Sequence, residues 1–210
     1  MQKEAPKSPP QSMLPHGFAG RVFAFLMERI AGSNYRWVIA NLAPYQPQTY
    51  LEIGFGTGKL AELVAKRLKP SCLCGVDPSE LMFDRATRRL KHFAKSREVD
   101  FRMGDDTDLP WAERSFDAVV ASHSFQFWHD PVATLGRIRK LIRPNGHLVL
   151  VIRNHRRISR RLRTWIPNPI TKTAKKELEG LRIALADAGF RIIGDKRLQS
   201  GSQGIVAVCA

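Results

Sequence analysis

A glycine-rich loop between an apolar strand and a helical pattern limits what this chain can fold into. The stretch LEIGFGTGKL at residues 51–60 has a glycine at every second position of its loop, at Gly54, Gly56 and Gly58. Glycine permits turns at positive φ and lets a ligand approach main-chain N–H groups that a Cβ would block. The loop therefore predicts a site for a nucleotide-like ligand at the end of a buried strand.

The spacing within the loop argues against two phosphate-binding motifs. A dinucleotide fingerprint, GxGxxG, needs a third glycine where this chain has Lys59. A P-loop needs a glycine where Ile53 stands, and a serine or threonine where Leu60 follows the lysine. Lys59 is therefore predicted to be a solvated helix residue.

Strand-like and helix-like segments alternate along most of the chain. After the loop, strands are predicted at 72–77, 99–103, 116–122 and 147–152. Helices are predicted at 35–42, 58–69, 79–94, 131–142 and 173–188. Such alternation predicts an α/β fold whose parallel sheet is covered by helices on both faces. The final segments, 190–193 and 205–209, are joined too closely for a crossover and predict an antiparallel hairpin.

The order of these motifs resembles that of the class I S-adenosylmethionine-dependent methyltransferases. The resemblance rests on GxGxG with Glu52 two residues before its first glycine, on Asp77 after the second strand, and on a Gly104-Asp105 step after the third. LIRPNG at 141–146 is similar to the family's LRPGG turn. The amino-terminal segment and FWHDP at 127–131 are similar to the small-molecule methyltransferases of the ubiquinone and menaquinone biosynthesis group.

The resemblance implies a Rossmann-like, seven-stranded, mostly parallel sheet with an antiparallel last strand and an N-terminal helical cap. It also implies S-adenosyl-L-methionine as cofactor, with S-adenosyl-L-homocysteine as product. The predicted cofactor-binding residues are Glu52, Gly54, Phe55, Gly56, Gly58, Asp77, Pro78, Met82, Asp105, Asp106 and Ser122.

Each part of this cofactor asks for a different partner. Loop amides at the start of a helix suit the amino-acid carboxylate, and Glu52 is expected to organise the loop and the ammonium. Asp77 suits the ribose hydroxyls. By resemblance, Asp105 lies at the adenine amino group with the Asp106 backbone near the ring, and Pro78 and Met82 form the apolar wall. Only one of the two adjacent aspartates can point inward, and the family pattern favours the first.

The expected reaction is in-line methyl transfer to a small-molecule acceptor, accelerated largely by proximity and orientation. An oxygen or carbon acceptor usually needs a base, for which His123 is the candidate and His129 a weaker alternative. Aromatic residues after the fourth strand, Phe125, Phe127 and Trp128, are candidates for the acceptor pocket. No metal site is predicted. The residues leave open which atom of the acceptor is methylated.

Composition favours one domain. The chain has 210 residues, of which 43% are hydrophobic, enough for one sizeable core. We predict a flexible tail at 1–15 and a single domain at 16–210, with cap helices within 16–46. Its three cysteines lack zinc spacing and are expected to be reduced packing residues. Without a membrane-spanning run or signal peptide, a cytoplasmic protein is expected.

The positive charge is the least explained feature. With 34 basic and 19 acidic residues the net charge is +15. A predicted basic, lid-like insertion at 153–172 holds arginines at helical spacing: Arg153, Arg156, Arg157, Arg160 and Arg161. The 153–163 face suits an anionic acceptor, RNA or an acidic membrane, and a solvated face remains open. RNA methylation and a noncatalytic cofactor-binding module are therefore the alternatives, and the oligomeric state is undetermined.

Overall fold

One seven-stranded sheet organises the part of the chain that the computed structural model describes, residues 31–152 and 174–209. The strands are β1 (Thr49–Ile53), β2 (Cys72–Asp77), β3 (Glu98–Met103), β4 (Phe116–Ser122), β5 (Ile142–Ile152), β6 (Phe190–Arg197) and β7 (Gln203–Cys209). Their spatial order is β3-β2-β1-β4-β5-β7-β6. Strand β7 runs antiparallel to both of its neighbours, whereas β1 to β5 pair in parallel.

Helices cover both faces of this sheet. They are α1 (described over 31–42), α2 (Lys59–Arg67), α3 (Glu80–Leu90), α4 (Pro131–Leu141) and α5 (Ala174–Asp187). Side chains alternate along each strand, so Leu51 and Leu148 pack with α4 and α5, while Tyr50 and Val149 pack with α1 and α2. The predicted α/β fold, with its antiparallel terminal strand and N-terminal helix, is confirmed.

The strand order reverses beside β1. This strand pairs with β2 on one side and with β4 on the other. The chain therefore runs outward from β1 to β2 and β3 in one direction, and then crosses back to continue with β4 and β5 in the other direction. In open α/β sheets a crevice forms at such a point, outside the carboxyl ends of the strands. The loops after β1, β2, β3 and β4 are therefore the ones that can build a site.

Helix α1 packs across the sheet near this carboxyl edge. The ring of Trp37 packs directly on Gly204 of β7. A Cβ added to Gly204 would lie 2.6 Å from the nearest atom of this ring, so only glycine fits there. Asn34, one turn earlier, reaches the turn between β6 and β7. Helix α1 is thereby tied to strands that are distant in sequence.

Local details differ from the sequence predictions at several places, and β6 and β7 are also longer than predicted. Strand β5 begins at Ile142 rather than 147, because Ile142 pairs with Phe116 before an irregular stretch that contains Asn145 at φ +63°. The helix predicted over 79–94 ends at Leu90 and is followed by a separate 3-10 turn, Phe93–Lys95. The helix predicted from residue 35 is already present at residue 31.

Other predictions lie outside the described residues: the tail at 1–15, the part of the 16–46 helical cap before residue 31, and the basic segment at 153–172 with its 153–163 face. Among the described helices, none combines the length and apolarity that a bilayer crossing requires. The three cysteines are free thiols, with Cys72 Sγ and Cys74 Sγ 3.4 Å apart on β2.

Candidate active site

The loop after β1 has the left-handed turns that its glycines predict. Gly54, Gly56 and Gly58 have φ values of +75°, +54° and +71°. A Cβ on Gly54 would lie 2.4 Å from the Cβ of Ser124, and one on Gly58 would lie 2.9 Å from that of Ala86. These two glycines are therefore required both by backbone conformation and by close packing.

Gly56 differs from its two neighbours because a Cβ there would meet nothing within 4 Å. The middle of the loop thus faces open space that a ligand can enter. The Gly56 N–H donates a 2.8 Å hydrogen bond to Asp77 Oδ2, which ties the loop to the end of β2. An open main-chain loop beside a carboxylate is the arrangement that a cofactor with a carboxylate and a ribose diol requires.

Asp77 is a buried carboxylate held by backbone donors. Its side chain also accepts a 3.0 Å hydrogen bond from the N–H of Ser79, the residue that caps α3. Burial raises the pKa of Asp77 to about 6, against the opposing effect of the two backbone hydrogen bonds from Ser79 and Gly56. Each carboxylate oxygen keeps acceptor capacity beyond its one backbone bond.

Glu52 is more completely enclosed than Asp77, at 2% exposed. The Tyr50 hydroxyl donates a 3.0 Å hydrogen bond to Glu52 Oε2. Burial raises the pKa of Glu52 to about 8, and the nearby Asp77 charge adds to the increase. The carboxyl therefore lies on the Tyr50 side of the sheet, behind the loop that it was predicted to organise.

The two aspartates after β3 have different surroundings. Asp105 is partly exposed and accepts hydrogen bonds from the Thr107 N–H and hydroxyl, at 2.9 and 2.6 Å, which lower its pKa. Asp106 is 3% exposed and accepts from the Thr134 hydroxyl at 2.6 Å and from the His129 backbone at 3.1 Å. The sequence interpretation assigned only a backbone role to Asp106 and missed this link to α4.

Asp105, Asp106 and His129 also form the only group in the described part of the chain with spacing suited to a metal ion, with ligand atoms within 4.8 Å of one another. His129 Nδ1 lies 3.0 Å from Asp106 Oδ1, and this carboxylate raises the pKa of the exposed His129. Without any metal ion, Asp105 accepts hydrogen bonds from Thr107, Asp106 accepts one from Thr134, and His129 contacts Asp106.

Of the predicted adenine wall, the structure buries one member and exposes the other. Met82 is 5% exposed and packs with Phe55 and Ala86 beneath the loop. Pro78 is exposed at the end of β2. Phe55 is itself a core residue, with its ring 4.7 Å from that of Phe101, so its backbone is the part that remains on the loop.

The segment after β4 closes the other side of the crevice. The Ser124 hydroxyl donates a 2.5 Å hydrogen bond to the carbonyl of Ile53, which fixes this segment against the glycine loop. His123 has φ +60°, and its N–H donates to the Val151 carbonyl at 2.8 Å. No local pattern singles out Ser124, because the two bonded residues are 71 positions apart.

Buried polar atoms without a hydrogen-bond partner concentrate in this segment. Within the described residues they include Ser122 Oγ, Gln126 Oε1 and Trp128 Nε1. Native proteins satisfy most such atoms, so a group of them calls for an explanation. The rings of Phe125 and Trp128 lie 5.0 Å apart beside them.

Comparison with known proteins agrees with this geometry. Residues 51–150 match a family described as "Methyltransferase domain". A demethylmenaquinone methyltransferase of Bacteroides fragilis is 30% identical over 110 residues, which cover 52% of this chain and 45% of that protein. One from Thermotoga maritima is 29% identical over 155 residues, covering 68% of this chain and 65% of that protein. The chain thus matches less than two thirds of either relative's length.

The fold is also similar to that of solved methyltransferase structures. A SAM-dependent methyltransferase structure from Aquifex aeolicus superposes with a TM-score of 0.64 at 17% identity, over 78% of this chain and 82% of that chain. Together with the strand order, the glycine loop and Asp77, these matches identify the class. Residues 51–150 belong to the methyltransferase-domain family, the described residues have the fold of the class I S-adenosylmethionine-dependent methyltransferases, and the chain is similar in sequence to the demethylmenaquinone methyltransferases.

Proposed function

We propose that this protein transfers the methyl group of S-adenosylmethionine to a small-molecule acceptor by in-line displacement. The observation that carries the proposal is the open backbone at Gly56 beside the buried Asp77 carboxylate, at the carboxyl edge where the strand order reverses. When bound, the cofactor supplies an electrophilic methyl group on a sulfonium. The protein then has mainly to hold donor and acceptor in line and exclude water.

The cofactor's parts are assigned by the chemistry of the residues present. Loop amides from 54 to 58 suit the amino-acid end, and Asp77 suits the ribose hydroxyls. Asp105, with one oxygen held by Thr107, offers its other oxygen to the adenine amino group. Ser122 lies at the carboxyl end of β4, at the same edge of the sheet as the glycine loop after β1.

The acceptor is proposed to carry a flat apolar body with hydrogen-bonding groups. Support comes from the paired rings of Phe125 and Trp128 and from the unsatisfied polar atoms of Ser122, Gln126 and Trp128 beside them. The names of the relatives, demethylmenaquinone methyltransferases, agree with an acceptor of this kind. The arginine-rich sequence at 153–163, outside the described residues, is the basis for proposing an acceptor that also bears negative charge.

The cofactor site is tested by titrating S-adenosylhomocysteine into wild type and Asp77→Asn in a calorimeter. Losing charge-assisted hydrogen bonds worth about 1.5–3 kcal/mol should weaken binding about 10- to 150-fold. Asp100→Asn is the matched control: Asp100 lies in the middle of β3, where it accepts from Arg102 and Trp111. Equal affinity of wild type and Asp77→Asn would exclude the proposed ribose contact.

The acceptor class is tested by incubating the protein and labelled S-adenosylmethionine with quinones, phenols and total RNA in separate reactions. Label in the small molecules supports the proposal. Label in RNA alone would favour the alternative of a nucleic-acid methyltransferase, which the net charge of +15 makes worth testing. Cofactor binding without labelling of any fraction would point to a noncatalytic binding module.

A further inference from the structure

A buried asparagine connects α1 to the loop after β4. Asn34 is 1% exposed and contacts three side chains that are far from it in sequence. The Ser200 hydroxyl donates to Asn34 Oδ1 at 2.6 Å, and Asn34 Nδ2 donates to Ser202 Oγ at 3.4 Å. Asn34 Nδ2 also lies 2.8 Å from His123 Nε2. The amide is thus held on both of its ends.

The distances decide which way the amide points. A separation of 2.6 Å suits an O–H···O hydrogen bond and is shorter than the usual 2.7–3.2 Å of N–H···O, so the carbonyl end of the amide faces Ser200. Ser200 Oγ accepts at 3.3 Å from the Ser202 N–H, which leaves the Ser200 hydroxyl proton for Asn34. The amide nitrogen therefore faces His123.

The amide orientation determines the state of the histidine. An amide nitrogen can only donate, so His123 Nε2 must accept, and the ring proton then resides on Nδ1. A doubly protonated ring would bring two N–H donors face to face at 2.8 Å. The main chain of His123 is fixed as well, because its carbonyl accepts a 2.6 Å hydrogen bond from Gln126 Nε2.

We propose that Asn34 is a positioning residue that holds His123 as a neutral imidazole with its proton on Nδ1 and its Nε2 lone pair engaged. His123 then stands at the edge of the crevice as a hydrogen-bonding group, and its Nε2 does not take a proton from the acceptor. The catalytic meaning of this inference rests on the proposed methyl transfer. The tautomer itself is a property of the protein alone.

The test is ¹⁵N NMR of the imidazoles in ligand-free, histidine-labelled protein at a pH where the rings are neutral, because protonated and unprotonated ring nitrogens differ widely in shift. His123→Gln identifies the His123 signals among the six histidines. Wild type should show the Nδ1–H form. Asn34→Asp replaces the donor with an acceptor and should convert His123 to the Nε2–H or doubly protonated form.

Asn41→Asp is the matched control, because Asn41 is on the same helix and donates to the Trp37 carbonyl instead of to a histidine. It should leave the His123 signals unchanged. If Asn34→Asp does not fold, Ser200→Ala removes the anchor of the amide and should give a mixture of tautomers. An Nε2–H form in wild type, or an unchanged tautomer in a folded Asn34→Asp or Ser200→Ala protein, would overturn the inference. Absence of methyl transfer would leave this result standing.

Discussion

Two neighbouring carboxyl groups at the ends of β1 and β2 differ in ionisation state. Asp77, with a pKa of about 6 and two backbone donors, is mostly ionised at neutral pH. Glu52, with a pKa of about 8, is mostly protonated there because burial outweighs the hydrogen bond from Tyr50. The pair therefore carries about one negative charge. Because both groups are carboxyls, their different ionisation arises from their surroundings, as is common where two acids lie close together.

The raised pKa of Glu52 makes stability depend on pH. The folded state holds its proton more tightly than the unfolded state, so this contribution is greatest below about pH 4.5 and is lost as pH rises towards 8. We predict that Glu52→Gln loses less stability than wild type between pH 6 and 8. The difference should be up to about 1.4 kcal/mol per pH unit, measured by urea unfolding.

Glu62→Gln is the control for this measurement. The pKa of Glu62 is lowered by its hydrogen bonds with Lys66 and Lys59, which outweigh its partial burial, so it is ionised in both states above pH 6. Its replacement should leave the slope between pH 6 and 8 equal to that of wild type. Parallel curves for wild type and Glu52→Gln would show that Glu52 is ionised when folded.

At the scale of elements, the helices that border the site begin at capping residues. Ser79 caps α3 by accepting from the Met82 N–H, and Asp130 caps α4 by accepting from the N–H groups of Val132 and Ala133. Each cap directly follows a loop that carries a site residue. The local chemistry that starts a helix therefore also places Asp77 and the segment after β4.

A glycine inside a helix and a glycine at a helix start have opposite predicted effects. Gly136 lies inside α4, and a Cβ there would meet nothing within 4 Å. We predict that Gly136→Ala stabilises the protein by about 0.5–1 kcal/mol, because alanine loses less backbone entropy in a helix. Thermal and urea unfolding would measure this gain.

Gly58→Ala is the contrasting variant. The added Cβ would lie 3.0 Å from the backbone Cα of Ala86 at a φ of +71°, so we expect a loss of about 1–3 kcal/mol. A gain of stability in Gly58→Ala would mean that the loop can change its conformation, contrary to the packing described above.

At the scale of the whole molecule, long-range contacts close the site. The Ser124–Ile53 hydrogen bond joins the loops of β4 and β1, Asp106 joins the β3 loop to α4, and Asn34 joins α1 to the β6–β7 turn. The crevice is therefore built by elements from both halves of the chain. A change in the packing of α1 should therefore alter the environment of the His123 side chain, which Asn34 of α1 contacts.

Gly204 offers a test of this coupling. We predict that Gly204→Ala displaces the Trp37 ring, because the new Cβ would lie 2.6 Å from it. The expected cost is about 1–3 kcal/mol, with a change in tryptophan fluorescence and in the NMR signals of His123. Gly180→Ala in α5, where a Cβ meets nothing within 4 Å, should change neither spectrum. Unaltered spectra in Gly204→Ala would show that the packing of α1 does not affect His123.

Much of the fold could be predicted because its signals are local. Alternating strand and helix periods predict the layered sheet, and a short connection forces the final strands to be antiparallel. Glycines at alternate positions after a strand predict a turn, and an acid at the next strand's end predicts a polar group beside it. Even so, the bulged start of β5 was missed, because Asn145 at positive φ depends on the pairing of Ile142 with Phe116.

The sequence by itself therefore determined the alternation of strands and helices, the antiparallel last strand, the glycine loop and the position of Asp77, since each depends on residues close together in the chain. Only the tertiary structure decided that Asp106 is the buried aspartate, that Ser124 locks the loop, and that Asn34 faces His123. These partners are 28, 71 and 89 positions apart. Nothing in local spacing encodes them, because they meet only after hydrophobic packing has brought α1, β4 and the β6–β7 turn together.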